Sequence, residues 1–432
     1  SDVIDALSFF GLEIKDCALA STPAMFMTTK MLGCDGAVQI TASHHPWDRN
    51  GLKFFTPDGG LSGDEIKSIL EYAEEHESGS CPERLNLQEV DFMSVYCEHL
   101  CNMIRKGVKS DDYERPLKGL KIVVDAGNGV GGFYAEKVLS PLGADTTGSR
   151  YLEPDGMFPN HIPNPENETA MNSVREATLG AKADLGVIFD TDVDRGGCVS
   201  SDGREINRNA LVALAAVIAL ESNPGGTVVT DSVTSAGLTE FIEKTLGGHH
   251  LRFKRGYKNV IDEAIRLEEN GINAPLAIET SGHAAFRENY YLDDGAYLIT
   301  KIIIKAADMK KQGKKLYDLI SELKYPAEEK EVRLKISEED FRAVGDRLLN
   351  ELADFAAKRE DWQIAPDSHE GIKIIFPKTE SFFILRQSVH DPVIPINFES
   401  AQNGGVKKAA NSLYEFIKDF DGVDISPLKQ IL

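Results

Sequence analysis

Two stretches of the chain hold residue types whose spacing suits chemistry. The first runs from Gln39 through Thr41, Ala42, Ser43, His44, His45 and Pro46, and closes at Asn50, Gly51, Leu52 and Lys53. A small serine at the mouth of an apolar strand, with imidazole and cationic groups close by, is a nucleophile candidate. An ordinary Ser/His/Pro turn satisfies the same pattern, and this stretch alone does not choose between the two. The second stretch reads Asp190, Thr191, Asp192, Val193, Asp194, Arg195, Gly196, Gly197. Carboxylates at alternate positions, on a loop just past a buried strand, suit a hard divalent cation. An EF-hand is excluded, because its sixth and twelfth positions would fall on Arg195 and Ser201. An arginine directly after the acids opposes a cation unless it points to another anion, such as a phosphate.

Other loops are loaded less heavily. Arg252, Lys254, Arg255 and Lys258 surround Gly256 at a strand-to-helix turn. In a chain with 47 basic and 69 acidic residues, formal net charge −22, such a local group of cations reads as a phosphate contact or as an exposed basic turn. Glu279, Ser281, Gly282 and His283 follow a short apolar strand, and Arg386, Ser388 and His390 lie between two C-terminal strands. Gly127, Gly129 and Gly132 match a dinucleotide fingerprint after a strand. No second strand ending in an acid stands out about twenty positions further on, so a plain glycine-rich turn is the better reading. Cys97, His99 and Cys101 do not share one helix face, which favours buried thiols over a metal site.

The elements that must position these groups recur as strand, loaded loop and helix, the arrangement in which open α/β sheets bind ligands. Strands are expected at 17–20, 36–40, 52–55, 120–125, 184–189, 227–230 and 276–278. Helices are expected at 4–10, from 24, 63–76, 91–106, 133–142, 167–179, 207–220, 235–246 and 294–309. A proline-dense loop occupies 154–165, and 78–82 is a loop. The last hundred residues differ: a helix at 338–357, strands at 372–376, 382–385 and 393–398, then a helix at 406–420. With 432 residues, 42% hydrophobic and 27% charged, the chain has the composition of a soluble globular protein of several domains. Its acidity argues against nucleic acid or an anionic membrane as partner, and it has no apolar run long enough to span a bilayer. Six cysteines without CxxC pairs give no disulfide framework.

Taken together, in order and over nearly the whole chain, several loops resemble one family, the α-D-phosphohexomutases. They are the serine loop (Thr41, Ala42, Ser43, His44, Pro46, Asn50, Gly51, Lys53), the metal loop (Asp190, Asp192, Asp194, Arg195), the sugar loop (Glu279, Ser281, Gly282, His283) and the position of Arg386 and Ser388. The loop 158–165 and the Asp294, Gly295 pair are also similar to the family. The resemblance implies an α/β architecture of four domains around a cleft, three mixed α/β domains and a distinct α+β one, divided as 1–112, 113–222, 223–327 and 328–432. It implies a phosphotransferase that interconverts hexose 1-phosphate and hexose 6-phosphate through a phosphoserine and a hexose 1,6-bisphosphate, which serves as intermediate and activator. Ser43 would carry the phosphoryl group and Lys53 would transfer protons, assisted by His44; to do so as a base, Lys53 needs a lowered pKa. Mg²⁺ would be held by Asp190, Asp192 and Asp194 with the phosphoryl oxygen on Ser43. Glu279 and Ser281 would bind sugar hydroxyls, Arg386 and Ser388 the non-transferring phosphate, with Arg195, Lys258, His283 and His390 as further contacts. The partners implied are small sugar phosphates; the oligomeric state is not implied.

The chain departs from the family pattern at His45, where Asn is usual, and at Val389, His390 and Asp391, which replace Gly-Thr-Glu of the phosphate loop. The family's N-terminal Gly-Thr-Ser-Gly and Arg motifs are not found, and the chain opens at Ser1 inside a helical pattern. The expectation is therefore a natural upstream segment and an intracellular location, cytoplasmic or, after removal of a leader, an organelle such as the plastid. Glucose and mannose phosphates are the expected substrates. The alternatives are a phosphoglucosamine mutase or a non-catalytic sugar-phosphate-binding relative, the latter suggested by the altered residues 389–391.

Overall fold

The computed structural model describes residues 2–76, 86–366, 368–388 and 391–432. Its backbone gathers into two compact units, Ser1–Asn223 with Pro275–Ser321, and Pro224–Ala274 with Glu322–Leu432. The expected loop at 78–82 and the residues Val389 and His390 lie outside the described residues.

In the first unit, the strands Ala37–Ile40, Leu52–Thr56 and Gly59–Gly60 form an antiparallel sheet. The register places Gln39 opposite Lys53. A four-stranded sheet follows, in the order Ile122–Asp125, Leu185–Phe189, Gly196–Ser200, Glu205–Ile206. Its first pair is parallel and the others antiparallel. Every residue of Leu185–Phe189 is buried, which is why the sequence there is an unbroken apolar run rather than an alternating one. The helices Glu168–Ala181 and Gly295–Lys311 pack on this sheet, and Phe92–Val108 packs on Gly295–Lys311. Cys97 and Cys101 are buried on Phe92–Val108, their thiols pushed up by burial to about 12 and about 11. A capping box between Ser62 and Glu65 opens the helix Gly63–Glu75.

The glycine fingerprint has a packing explanation. A β-carbon on Gly129 would lie 2.6 Å from the Thr191 carbonyl oxygen, and one on Gly132 would lie 2.0 Å from that of Leu152. These glycines let two loops approach the turn, including the one that carries the aspartates. The following helical stretch, Tyr134–Leu139, takes the wider π form.

In the second unit, Thr227–Asp231 pairs in parallel with His249–Phe253, and the helix Tyr257–Glu269 packs on the former. The C-terminal part is a six-stranded antiparallel sheet, in the order Gln363–Ile364, Ile372–Phe376, Ser381–Leu385, Val393–Ser400, Glu328–Ile336, Val423–Asp424. The helices Phe341–Ala356 and Gly405–Ile417 close one core with it, around Leu334, Leu348, Phe383, Ile396 and Leu413.

Three of the strands that differ from the sequence expectation have a clear physical reason. The strand expected at 17–20 is instead Ile14–Asp16, because the Asp16 carboxylate accepts from the Ala18 amide and Ala18 turns to φ 53°. The nine-residue strand Glu328–Ile336 is hidden by its charges: only Val332, Leu334 and Ile336 point into the core. Gly196–Ser200 is hidden by its two glycines. Among the described residues, no helix is long and apolar enough to cross a membrane.

Candidate active site

Ser43 and Lys53 are brought together by the pairing of the two strands that flank their loop. The loop closes through the Thr41 amide, which donates to the Gly51 carbonyl at 3.0 Å. A β-carbon on Gly51 would stand 2.4 Å from the Thr41 carbonyl oxygen, so only glycine fits there. Ser43 itself adopts φ 51°, the left-handed region that non-glycine residues avoid at a cost of roughly 1–2 kcal/mol. The amide of Ser43 donates to Thr41 Oγ1 at 2.9 Å, which holds it in that conformation.

The metal loop is buried almost completely: Asp190, Asp192, Asp194 and Arg195 are each at most 2% exposed. One oxygen from each aspartate lies within 4.8 Å of the others. Lys53 Nζ donates to Asp192 Oδ2 at 2.8 Å and to Asp194 Oδ2 at 2.5 Å. Thr22 Oγ1 donates to Asp192 Oδ2 at 2.5 Å, and the Thr22 amide to the Asp192 carbonyl at 2.9 Å. Thr22 opens a helix, Thr22–Met31, capped by Ser21. Asp192 Oδ1 and Asp194 Oδ1 remain buried without a hydrogen-bond partner among the described residues. Buried carboxylate oxygens left in this way are costly, and a hard cation is the group that would satisfy them. The donor set therefore fits a divalent metal.

Arg195 ties this loop to the serine loop. Its Nε donates to Asp190 Oδ2 at 3.0 Å, its Nη1 to Asn164 Oδ1 at 3.3 Å, and its Nη2 to His44 Nδ1 at 2.7 Å. Ser43 Oγ lies 3.3 Å from the same His44 nitrogen. Arg195 thus spans Asp190 and the serine loop, and its Nε also stands 3.9 Å from Asp194 Oδ1, so the carboxylates of the loop balance its charge.

The charges set each other. Burial of the imidazole, then the Arg195 guanidinium, lowers His44 to about 4, so it is neutral at ordinary pH. Burial works to lower Lys53, but Asp194 and Asp192 beside it win and hold it well above the usual lysine range. The lowered pKa that a lysine base needs is absent from this arrangement; Lys53 is a charged donor. Asp194, although burial opposes its ionisation, is held below the usual carboxylate range by Lys53, His283 and Arg195.

The sugar loop meets the metal loop in the same unit. The Gly196 amide donates to the Gly282 carbonyl at 3.5 Å, and Arg195 and His283 form a single antiparallel bridge. Glu279 and Ser281 are buried, and Ser281 Oγ has no hydrogen-bond partner among the described residues. His283 Nδ1 lies 2.6 Å from Asp293 Oδ2. Burial works to lower His283, but Asp293 and Asp194 raise it to about 9.

The structure thus brings together Ser43, His44, Lys53, Asp190, Asp192, Asp194, Arg195, Glu279, Ser281 and His283 within one unit. Arg386, Ser388 and Lys258 belong to the second unit. There Arg386 is nearly buried, while Lys258 Nζ is paired with Asp262 in the first turns of its helix. Sequence reasoning did not single out Thr22, Asn164 or Asp293. The Ser21, Thr22, Pro23 run signalled only a helix start, and nothing local links Thr22 to Asp192, 170 positions away.

Models of the phosphoglucomutase/phosphomannomutase alpha/beta/alpha domains I, II and III match residues 1–79, 94–203 and 207–325. A phosphoglucomutase/phosphomannomutase of Thermococcus kodakarensis is 32% identical over 403 residues, 92% of this chain and 82% of that protein. A phosphoglucomutase of Neisseria meningitidis serogroup A is 28% identical over 412 residues, 94% of this chain and 83% of that protein. A crystal structure of a phosphoglucomutase/phosphomannomutase family protein from Burkholderia thailandensis superposes with a TM-score of 0.77 at 26% identity, covering 94% of this chain and 83% of that one. With the serine, metal and sugar loops assembled as described, the chain belongs to the phosphoglucomutase/phosphomannomutase family of α-D-phosphohexomutases and is an isomerase of hexose phosphates.

Proposed function

We propose that the chain moves a phosphoryl group between O1 and O6 of glucose or mannose phosphate by way of Ser43. The carrying observation is the Arg195 guanidinium, which joins Asp190 of the metal loop to His44 beside Ser43 Oγ. It fixes a hydroxyl nucleophile and a buried carboxylate cluster in one frame. The relatives are named for glucose and mannose phosphates, which favours those sugars over glucosamine phosphate. We retain the four-domain division at 112, 222 and 327 as part of this proposal.

Asp190, Asp192 and Asp194 would hold Mg²⁺, with the phosphoryl oxygen on Ser43 completing the set. Oxygen donors and three carboxylates suit this ion. Bound there, it supplies positive charge against the phosphoryl group in transfer. The chain's own residues do the rest. Ser43, held in its left-handed turn, has its Oγ 3.3 Å from His44 Nδ1. As the phosphoryl group leaves, Lys53 is placed as a charged donor for the proton that the serine oxygen takes up. The proton that the attacking sugar hydroxyl gives up returns Lys53 to its ammonium form, so the proton count is unchanged. His44, neutral and accepting from Arg195, orients rather than titrates. Glu279 and the Ser281 hydroxyl would bind sugar hydroxyls, and His283, charged, a phosphate. In the second unit, Arg386 and Ser388 would take the non-transferring phosphate, with Lys258 and His390 as further contacts.

Intact-mass measurement tests this directly. The active protein is expected to carry one phosphoryl group on Ser43, lost on turnover, and Ser43→Ala is expected to lower mutase activity by at least about a thousandfold. Undiminished activity in Ser43→Ala would sink the proposal. Rates on glucose, mannose and glucosamine 1-phosphates rank the substrates.

A further inference from the structure

Glu370 takes no part in the reaction described so far. It stands at the bend before the strand Ile372–Phe376, whose register with Ser381–Leu385 pairs Ile372 with Leu385 and so sets Glu370 beside Arg386. Its Oε1 lies 3.9 Å from Arg386 Nη1. Its Oε2 accepts from Ser232 Oγ and, at 3.1 Å, from the Arg255 amide. All four residues belong to the second unit.

The groups facing this carboxylate are those that bind phosphate. The Arg255 amide directly precedes Gly256, the N-cap of the thirteen-residue helix Tyr257–Glu269, so the positive end of that helix is at hand. Ser232 adds a hydroxyl. The Arg386 side chain is 9% exposed, and its Nε is buried with no hydrogen-bond partner among the described residues. The other acids nearby are committed elsewhere. Glu331 accepts from Arg333 at 2.6 Å and from Asn397 at 3.0 Å, and Asp231 faces Arg255 Nε at 4.0 Å. Glu370 is thus the acid seated on the anion donors, yet it leaves the Arg386 fork unfilled.

We propose that Glu370 is a built-in anion: it sits where the non-transferring phosphate of the substrate binds, on Ser232, the Arg255 amide and Arg386, and the incoming phosphate displaces it. This rests on the reading of Arg386 as a phosphate ligand. Between substrates the carboxylate accepts from Ser232 Oγ and the Arg255 amide and stands against the Arg386 charge. A dianionic phosphate with three oxygens can engage the Arg386 fork two-fold, which the single carboxylate does not. The competition sets the affinity for sugar phosphate below what the donors alone would give, and so speeds product release.

The test compares wild type, Glu370→Gln and Arg386→Ala as full chains, with calorimetric titration of inorganic phosphate and of glucose 6-phosphate, and with steady-state KM and kcat. Gln keeps the shape and an acceptor oxygen but removes the charge. Glu370→Gln is expected to bind both ligands about tenfold tighter and to lower KM, while kcat falls if release limits turnover. Glu370→Ala serves as the second variant if the amide perturbs folding, with the same expectation. Unchanged or weaker binding in both Glu370 variants, with binding lost in Arg386→Ala, would overturn the built-in anion and leave Glu370 as an orienting group. Undiminished binding in Arg386→Ala would instead overturn the phosphate site on which the inference stands.

Discussion

At the scale of single residues, the site is governed by which charges face which. Lys53 shows this most plainly. The family resemblance implied a proton-transferring lysine, which as a base would need a lowered pKa, but two buried aspartates keep it charged and make it a hydrogen-bond donor. His44 is the opposite case. Its neighbour in sequence is a candidate nucleophile, yet its Nδ1 is occupied by Arg195 and its pKa falls to about 4. A group with that value stays neutral over the working range and adds no inflection there. The kcat/KM profile between about pH 5 and 8 is therefore expected to keep its shape in His44→Gln, with only its height reduced. An acidic limb present in wild type and absent from the variant would show that His44 itself titrates in turnover.

At the scale of elements, one hairpin and one helix start decide the geometry. The pairing of Ala37–Ile40 with Leu52–Thr56 fixes where Ser43 and Lys53 stand, and Gly51 lets the hairpin close against Thr41. Gly51→Ala would place a methyl group 2.4 Å from the Thr41 oxygen, and a backbone atom cannot yield as a flexible side chain would. The expected cost is about 1–3 kcal/mol of stability, read as a lower melting temperature, together with a kcat loss larger than any change in KM. A variant as stable and active as wild type would mean that the hairpin tolerates a shifted loop. Thr22 makes the same point for the helix Thr22–Met31: the helix start supplies both an amide and a hydroxyl to Asp192.

At the scale of the molecule, the chain divides its tasks between two compact units. The carboxylate cluster lies in one, and Arg386, the proposed phosphate ligand, in the other. Ligands that bind a folded unit stabilise it by mass action, by about 2.7 kcal/mol at a hundredfold excess over Kd. Mg²⁺ is expected to raise the unfolding transition of the unit holding Asp190, Asp192 and Asp194, and inorganic phosphate that of the unit holding Arg386. Calorimetric scans with each ligand alone would show two transitions moving separately. A single transition moved equally by both would mean that the units unfold together. The sequence by itself determined the loops that carry chemistry, because alternating aspartates, a Ser-His-Pro turn and a Glu-x-Ser-Gly-His run are local patterns. It also determined most helices and buried strands, whose apolar periods are local too. What only the tertiary structure decided are pairings between residues far apart in the chain. Thr22 meets Asp192, Arg195 meets His44, and Glu370 meets Ser232 and Arg255. The strand Glu328–Ile336 was likewise fixed by its partner Val393–Ser400, since its own charged sequence carries too few apolar residues to show a period. Hydrogen bonds and charges act over a few ångströms in space, and nothing in a linear sequence records which distant groups will stand that close.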